Sequence, residues 1–110
     1  MNELDPEDAK IITLARSARA RNRAAEGAAV RDATGRTYVA VTVALPSLKL
    51  SALQVAVAMA VSSGADRLEA AAVVSEAPAL TDEQVAAALD LKAAALFLAA
   101  PDGTVVTERR

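Results

Sequence analysis

The chain has 110 residues, 54% of them hydrophobic and 24% charged, with a net charge of −2 and neither cysteine nor histidine. This length supports one domain, residues 1–110, around a single core, and the slight acidity gives no general pull toward nucleic acid or anionic membrane. The absent residue types exclude disulfides, thiolate metal sites and histidine-based catalysis, and no apolar run approaches the ~20 residues of a membrane span.

Asp5-Pro6-Glu7-Asp8 is a helix start: a cap, a proline suited to the first position, and two acids at the positive end of the dipole. Ile11, Leu14, Ala15 and Ala18 recur at helical spacing, and Arg16, Arg19, Arg21 and Arg23 crowd the last turns. Residues 27–32 read as a strand, Ala33-Thr34-Gly35 as a turn, and residues 36–44 as a second strand, forming a hairpin. Residues 45–50 read as a connector. Ser51-Ala52-Leu53-Gln54 is a capping box that opens a helix ending at Ser63-Gly64. Between residues 52 and 61 its only polar residue is Gln54, so the helix needs cover on nearly every side. Residues 68–75 form a third strand, and Thr81-Asp82-Glu83-Gln84 is a second capping box starting a helix to about residue 91. Residues 93–99 and 104–107 are the last two strands, joined by a Pro101-Asp102-Gly103 turn short enough to make them antiparallel.

The order αββαβαββ predicts an α/β three-layer sandwich with a five-stranded mixed sheet. Alanine supplies about a quarter of the chain, and Tyr38 and Phe97 are its only aromatics. A core of small side chains gains less burial per residue, which favours a homo-oligomer, either dimer or tetramer. The N-terminal Met1-Asn2-Glu3-Leu4-Asp5 is acidic and lacks the pattern of a signal peptide, so the expected location is cytoplasmic.

Several short motifs, in this order, resemble landmarks of the nucleoside-type cytidine deaminases between about residues 14 and 106. Gly27-Ala28-Ala29-Val30, with Asp32, Gly35-Arg36 and Tyr38, is similar to that family's Gly-Ala-Ala strand and hairpin. Ser51-Ala52-Leu53-Gln54 is similar to its Cys-Ala-Glu-Arg helix start, and Pro78 through Gln84-Val85 to its Pro-Cys-x-x-Cys-x-Gln segment. Pro101-Asp102-Gly103, followed by Val105-Val106, resembles its final hairpin.

The resemblance implies the fold but not the chemistry. The family holds zinc with one thiolate or imidazole at one helix start and two thiolates at the next, and a glutamate moves the proton. By that match the ligand positions fall on Ser51, Ala79 and Asp82, and the glutamate position on Leu53. The ribose-binding Asn-x-Glu falls on Thr42 and Ala44, and Ala24 stands where the family has phenylalanine. A degenerate, non-catalytic member without zinc or other cofactor is therefore expected. A family label of cytidine deaminase would attach to such a chain although its residues do not support the activity.

Three functional classes follow. The first is an oligomeric scaffold or regulatory partner protein. The second is a nucleotide or small-molecule sensor with a relic pocket of Ser51, Leu53, Glu76, Ala79 and Asp82. The third is an enzyme of unrelated, metal-free chemistry. Replacement of polar positions by Leu53, Ala44 and Ala79 favours the scaffold. Ser51, Thr81, Gln54 and Gln84 are explained as caps, Asp82 and Glu83 as first-turn acids, and Glu76 as a solvated loop acid. Arg16, Arg19 and Arg23 fall on one helical face, which reads as a solvated or intersubunit face, or else as an anion or RNA-phosphate site with Arg31 and Arg36. The scarcity of aromatics for base stacking argues against a nucleic-acid partner.

Overall fold

The computed structural model describes residues 4–110; Met1, Asn2 and Glu3 of the acidic N-terminus lie outside the described residues. The elements are α1 (Pro6–Asn22), β1 (Glu26–Asp32), β2 (Thr37–Val41), β3 (Val43–Leu45), β4 (Leu48–Leu50), α2 (Ala52–Ser62), β5 (Leu68–Ser75), α3 (Asp82–Asp90), β6 (Ala95–Ala99) and β7 (Val105–Arg109). Five strands form one mixed sheet in the order β2-β1-β5-β6-β7. Only the β5–β6 pair is parallel, and β7 returns antiparallel to β6 as the short turn requires.

The sheet is covered on both faces. Ile11, Ile12 and Ala15 of α1 meet Ala29, Val74 and Phe97 on one side. Leu53 and Ala56 of α2 and Ala88 of α3 meet Ala28, Val30, Val73 and Leu98 on the other. Central strand β5 is therefore buried on both faces, which explains its unbroken run of small apolar residues. Gly27 sets how closely α1 approaches: a Cβ there would lie 2.0 Å from the Ala15 carbonyl oxygen. Close contact of helix backbone with strand backbone requires glycine at that position.

Asp5 caps α1, its carboxylate accepting from the Glu7 amide at 2.8 Å. The helix ends at Asn22, and Arg23 adopts the left-handed conformation at φ 50°. Arg23 therefore leaves the helical face that it was expected to share with Arg16 and Arg19.

Three stretches differ from expectation. The second strand stops at Val41 rather than at residue 44: Thr42, opposite Glu26, makes the last contact with β1, and Val43 already pairs with Leu50 of β4. The Thr42 amide donates to the Glu26 carbonyl at 3.3 Å, and its hydroxyl accepts from the Glu26 amide at 3.1 Å. Residues 45–50 are then no plain connector. They complete a separate two-stranded hairpin, β3–β4, closed by Pro46-Ser47 with Leu45 opposite Leu48. Proline preorganises such a turn, but strands of three residues give almost no periodic signal. The last helix-to-strand connection is also longer than expected, and β6 starts at Ala95. The Ala93 amide is held by the Ala88 carbonyl at 3.1 Å, and Lys92 is left-handed at φ 54°.

Candidate functional site

Helices α2 and α3 begin at the same end of the sheet, beside the first residue of β1 and the last of β2. Between them lies a cleft of about 360 Å³ lined by Glu26, Thr42, Ser51, Gln54, Thr81 and Gln84, with β3–β4 as a further wall. Both helix starts are closed by their own side chains. The Ser51 hydroxyl accepts from the Gln54 amide at 3.1 Å, and the Gln54 side-chain oxygen accepts from the Ser51 amide at 2.9 Å. Thr81 and Gln84 repeat the arrangement at 3.1 and 2.8 Å. Each reciprocal pair satisfies two of the amides that a helix start leaves free. The Gln84 side-chain amide also donates to the Glu26 carboxylate at 3.0 Å, tying α3 to β1.

The five residues of the expected relic pocket are not gathered in this cleft. Ser51 lines it. Leu53 is fully buried in the core on the α2 side of the sheet. Glu76 follows β5, is 82% exposed in its side chain, and pairs with Arg19 at 3.6 Å. Ala79 and Asp82 are exposed and are not among the cleft's lining residues. Of the polar groups that do converge, Gln54 and Gln84 were legible through the two capping boxes, which mark both helix starts but not that they face one another, and Glu26, at the first position of β1, carried no signal.

Zinc does not fit this donor set. The Ser51 hydroxyl is engaged as a cap, Ala79 has no donor atom, and one carboxylate at Asp82 cannot build a tetrahedral site. Among the described residues no group of three or more acids, histidines or cysteines is placed to hold a metal ion. Leu53, expected from the resemblance at the place of the family's glutamate, has a side chain that can neither accept nor donate a proton.

The arginines serve separate structural ends. Arg16 donates to the Pro101 carbonyl at 2.8 Å, holding α1 against the β6–β7 turn. Arg19 donates to the Ala25 carbonyl at 3.1 Å. Arg31 pairs with buried Asp8 at 2.9 Å and with Glu69 at 3.0 Å. Burial works against its charge, but the hydrogen bonds to Asp8 and Glu69 hold its pKa above the ordinary value. Arg36 is exposed and is held through its backbone: its amide donates to the Asp32 carboxylate at 3.0 Å, and its carbonyl accepts from the Asp32 amide at 2.9 Å.

A second hollow of about 420 Å³ lies at the opposite pole, where β1 ends at Asp32 and α2 ends near Gly64. The Asp32 carboxylate is already saturated. One oxygen accepts from the Thr34 hydroxyl at 2.7 Å and from the amides of Thr34 and Arg36, and the other from the Tyr38 hydroxyl at 3.0 Å. The Thr34 hydroxyl bond is the main reason its pKa lies below the usual carboxylate value; burial opposes it, and Tyr38 and the two amides add to it.

Compared with known proteins, the chain matches the family described as cytidine deaminase-like over residues 4–103. It is similar in structure to a cytidine deaminase from Burkholderia pseudomallei, at 23% identity and a TM-score of 0.75, covering 91% of this chain and 89% of that one. A cytidine deaminase from Mycobacterium leprae is similar at 20% identity and a TM-score of 0.66, covering 88% of this chain and 91% of that one. At these identities the two structures speak for the fold. No curated protein matches the sequence. No described helix is long and apolar enough to cross a membrane.

Proposed function

The chain belongs to the cytidine deaminase-like family, and we propose that it is a non-catalytic member acting as an oligomeric scaffold or regulatory partner. One observation carries this reading: the two helix starts that would hold a metal in the family are each closed by a Ser/Thr–Gln capping box. In such a site thiolates gain from the free amides and the helix dipoles, and the metal joins the helices. Here the amides are engaged within each helix, and the hydrogen bond from Gln84 to Glu26 supplies a join between layers.

The oligomeric part of the reading rests on α2. It buries Leu53, Ala56 and Ala60 against the sheet, while Met59 and Val61 on its outer side are 40% and 52% exposed. A helix with this composition is stable when both sides are covered, and one sheet covers one side. Metal content and mass test the proposal together. The purified protein is expected to carry no stoichiometric zinc by plasma mass spectrometry and to scatter light as a dimer or tetramer at micromolar concentration. One zinc per chain that survives mild chelation overturns the non-catalytic reading.

A sensor is the second reading, favoured by the survival of an open cleft with Glu26, Lys49 and Glu83 on its walls. It is distinguished by a rise in melting temperature on adding nucleosides or nucleotides, which the scaffold reading does not predict.

A further inference from the structure

The hollow of about 420 Å³ at the pole away from the capping-box cleft is walled by two loops. On one wall stand Asp32, Thr34 and Arg36 of the β1–β2 turn, and on the other Ser63, Asp66 and Arg67 of the α2–β5 connection. The end of β1 runs between them. The Asp32 amide donates to the Arg36 carbonyl at 2.9 Å, and the Ala33 amide to the Arg67 carbonyl at 3.1 Å. Arg36 and Arg67 therefore sit one strand to either side of β1, with backbones roughly 10 Å apart. Both side chains line the hollow, so both can reach a group placed over the end of the strand between them. The walls are fixed in advance. One Asp32 oxygen holds the amides of Thr34 and Arg36, and the Gly64 and Ala65 amides close the end of α2 on the Val61 and Ala60 carbonyls. A site ordered in this way loses little freedom on binding.

Charge narrows what the hollow can hold. Among the described residues, the ion pairs and side-chain hydrogen bonds leave out the side chains of Arg36, Arg67 and Asp66. The buried Asp32 carboxylate could have neutralised either arginine, but it accepts from uncharged donors: the Thr34 and Tyr38 hydroxyls and two backbone amides. Both guanidiniums keep their donors as a result. The α2 helix ends here with no basic side chain in its last turn, so the negative end of its dipole is uncompensated. A simple anion in this hollow meets Asp66 and that dipole, and a simple cation meets two arginines. A molecule with two carboxylates and one ammonium matches all three groups. Guanidinium forks suit carboxylates in particular, since each can donate two parallel hydrogen bonds.

We propose that this pole binds a free acidic α-amino acid, its two carboxylates on Arg36 and Arg67 and its ammonium at Asp66 beside the end of α2. The site shares no lining residue with the capping-box cleft, so it stands apart from the reading above and needs neither a metal nor a second copy of the chain.

The test is a titration of the isotope-labelled full chain with L-aspartate and with L-glutamate, followed by amide chemical shifts. Saturable shifts are expected at Ala33, Thr34, Gly64 and Arg67 and not at Ser51 or Thr81, which places the ligand at this pole and not in the cleft. Arg36 and Arg67 are exposed, so Arg36→Ala and Arg67→Ala are expected to keep the circular dichroism spectrum of the wild type. Each is expected to weaken binding about tenfold or more, the usual loss for a hydrogen bond between charged groups. Succinate and glutarate keep both carboxylates and lack the ammonium. They are expected to bind the wild type more weakly than the amino acids do, and to bind Asp66→Asn equally well. Absence of saturable shifts with both amino acids at millimolar concentration overturns the site. Binding that the two diacids match in the wild type, or that persists unchanged in both arginine variants, overturns the acidic amino acid as its ligand.

Discussion

The side-chain amide of Gln84 reaches the Glu26 carboxylate at 3.0 Å, so the first turn of α3 is bonded to the first residue of β1. Gln84 is also the closing member of its own capping box and is almost fully buried. One side chain thus caps a helix and joins it to the sheet. Gln84→Ala is expected to destabilise the fold by about 1–3 kcal/mol, combining a lost cap with a carboxylate left short of a partner. Urea unfolding measures it. A change below about 0.5 kcal/mol, the usual surface value, would show that the bond contributes nothing.

Gly27 and Gly35 are predicted to differ sharply on substitution by alanine. At Gly27 the added carbon meets the Ala15 carbonyl oxygen at 2.0 Å, so α1 must move off the sheet. Overpacking of this kind costs about 1–3 kcal/mol or more. At Gly35 nothing lies within 4 Å, and the strain comes only from a φ of +91°, which costs an alanine roughly 1–2 kcal/mol. Melting temperatures of the two variants should therefore fall in the order wild type, Gly35→Ala, Gly27→Ala.

How far these features could be read from sequence differs from place to place. The two capping boxes, the buried β5 run and the Pro101-Asp102-Gly103 turn are local signals, and the α2 and α3 starts and the antiparallel pairing of the last two strands follow from them. The β3–β4 hairpin was not legible: Leu45-Pro46-Ser47-Leu48 lacks the Gly or Asn of a strong hairpin turn, and its strands are too short to show alternation. The cleft was legible only in part. Ser51 lines it, but Leu53 was placed in the pocket by family position, whereas packing turns it into the core. Which residues face one another across the cleft depends on tertiary contacts such as Thr42 with Glu26, separated by 16 positions in the chain.

Acid stability should report on Asp32. Its folded pKa lies below its ordinary 3.8, so it contributes stability that is fully present above that value and is lost as pH falls through the folded pKa. Asp32→Asn is expected to be less stable than wild type at pH 7, with the gap closing as pH drops below about 3.8. Tyr38→Phe, which removes one of the hydroxyl donors, should close part of the same gap. Urea midpoints measured between pH 2 and 7 check both, and parallel curves for wild type and Asp32→Asn would contradict the assignment.

Rebuilding the family's zinc site should conflict with the core. Cysteine at the Ser51, Ala79 and Asp82 positions changes exposed or half-buried side chains and is expected to be tolerated. Leu53→Glu puts a carboxylate where Leu53 is fully buried, at a cost of several kcal/mol against the ~5–15 kcal/mol that holds a domain folded. The quadruple variant is predicted to melt far below the triple one, by differential scanning calorimetry, and to recover metal at best without turnover.

Uridine formation from cytidine and deoxycytidine, followed by absorbance in the presence of added zinc, tests the absence of catalysis most directly. The account predicts a rate equal to the protein-free control at every protein concentration. A rate that rises in proportion to protein and disappears in Ser51→Ala would contradict it, because the Ser51 hydroxyl would then be acting at the metal rather than capping α2.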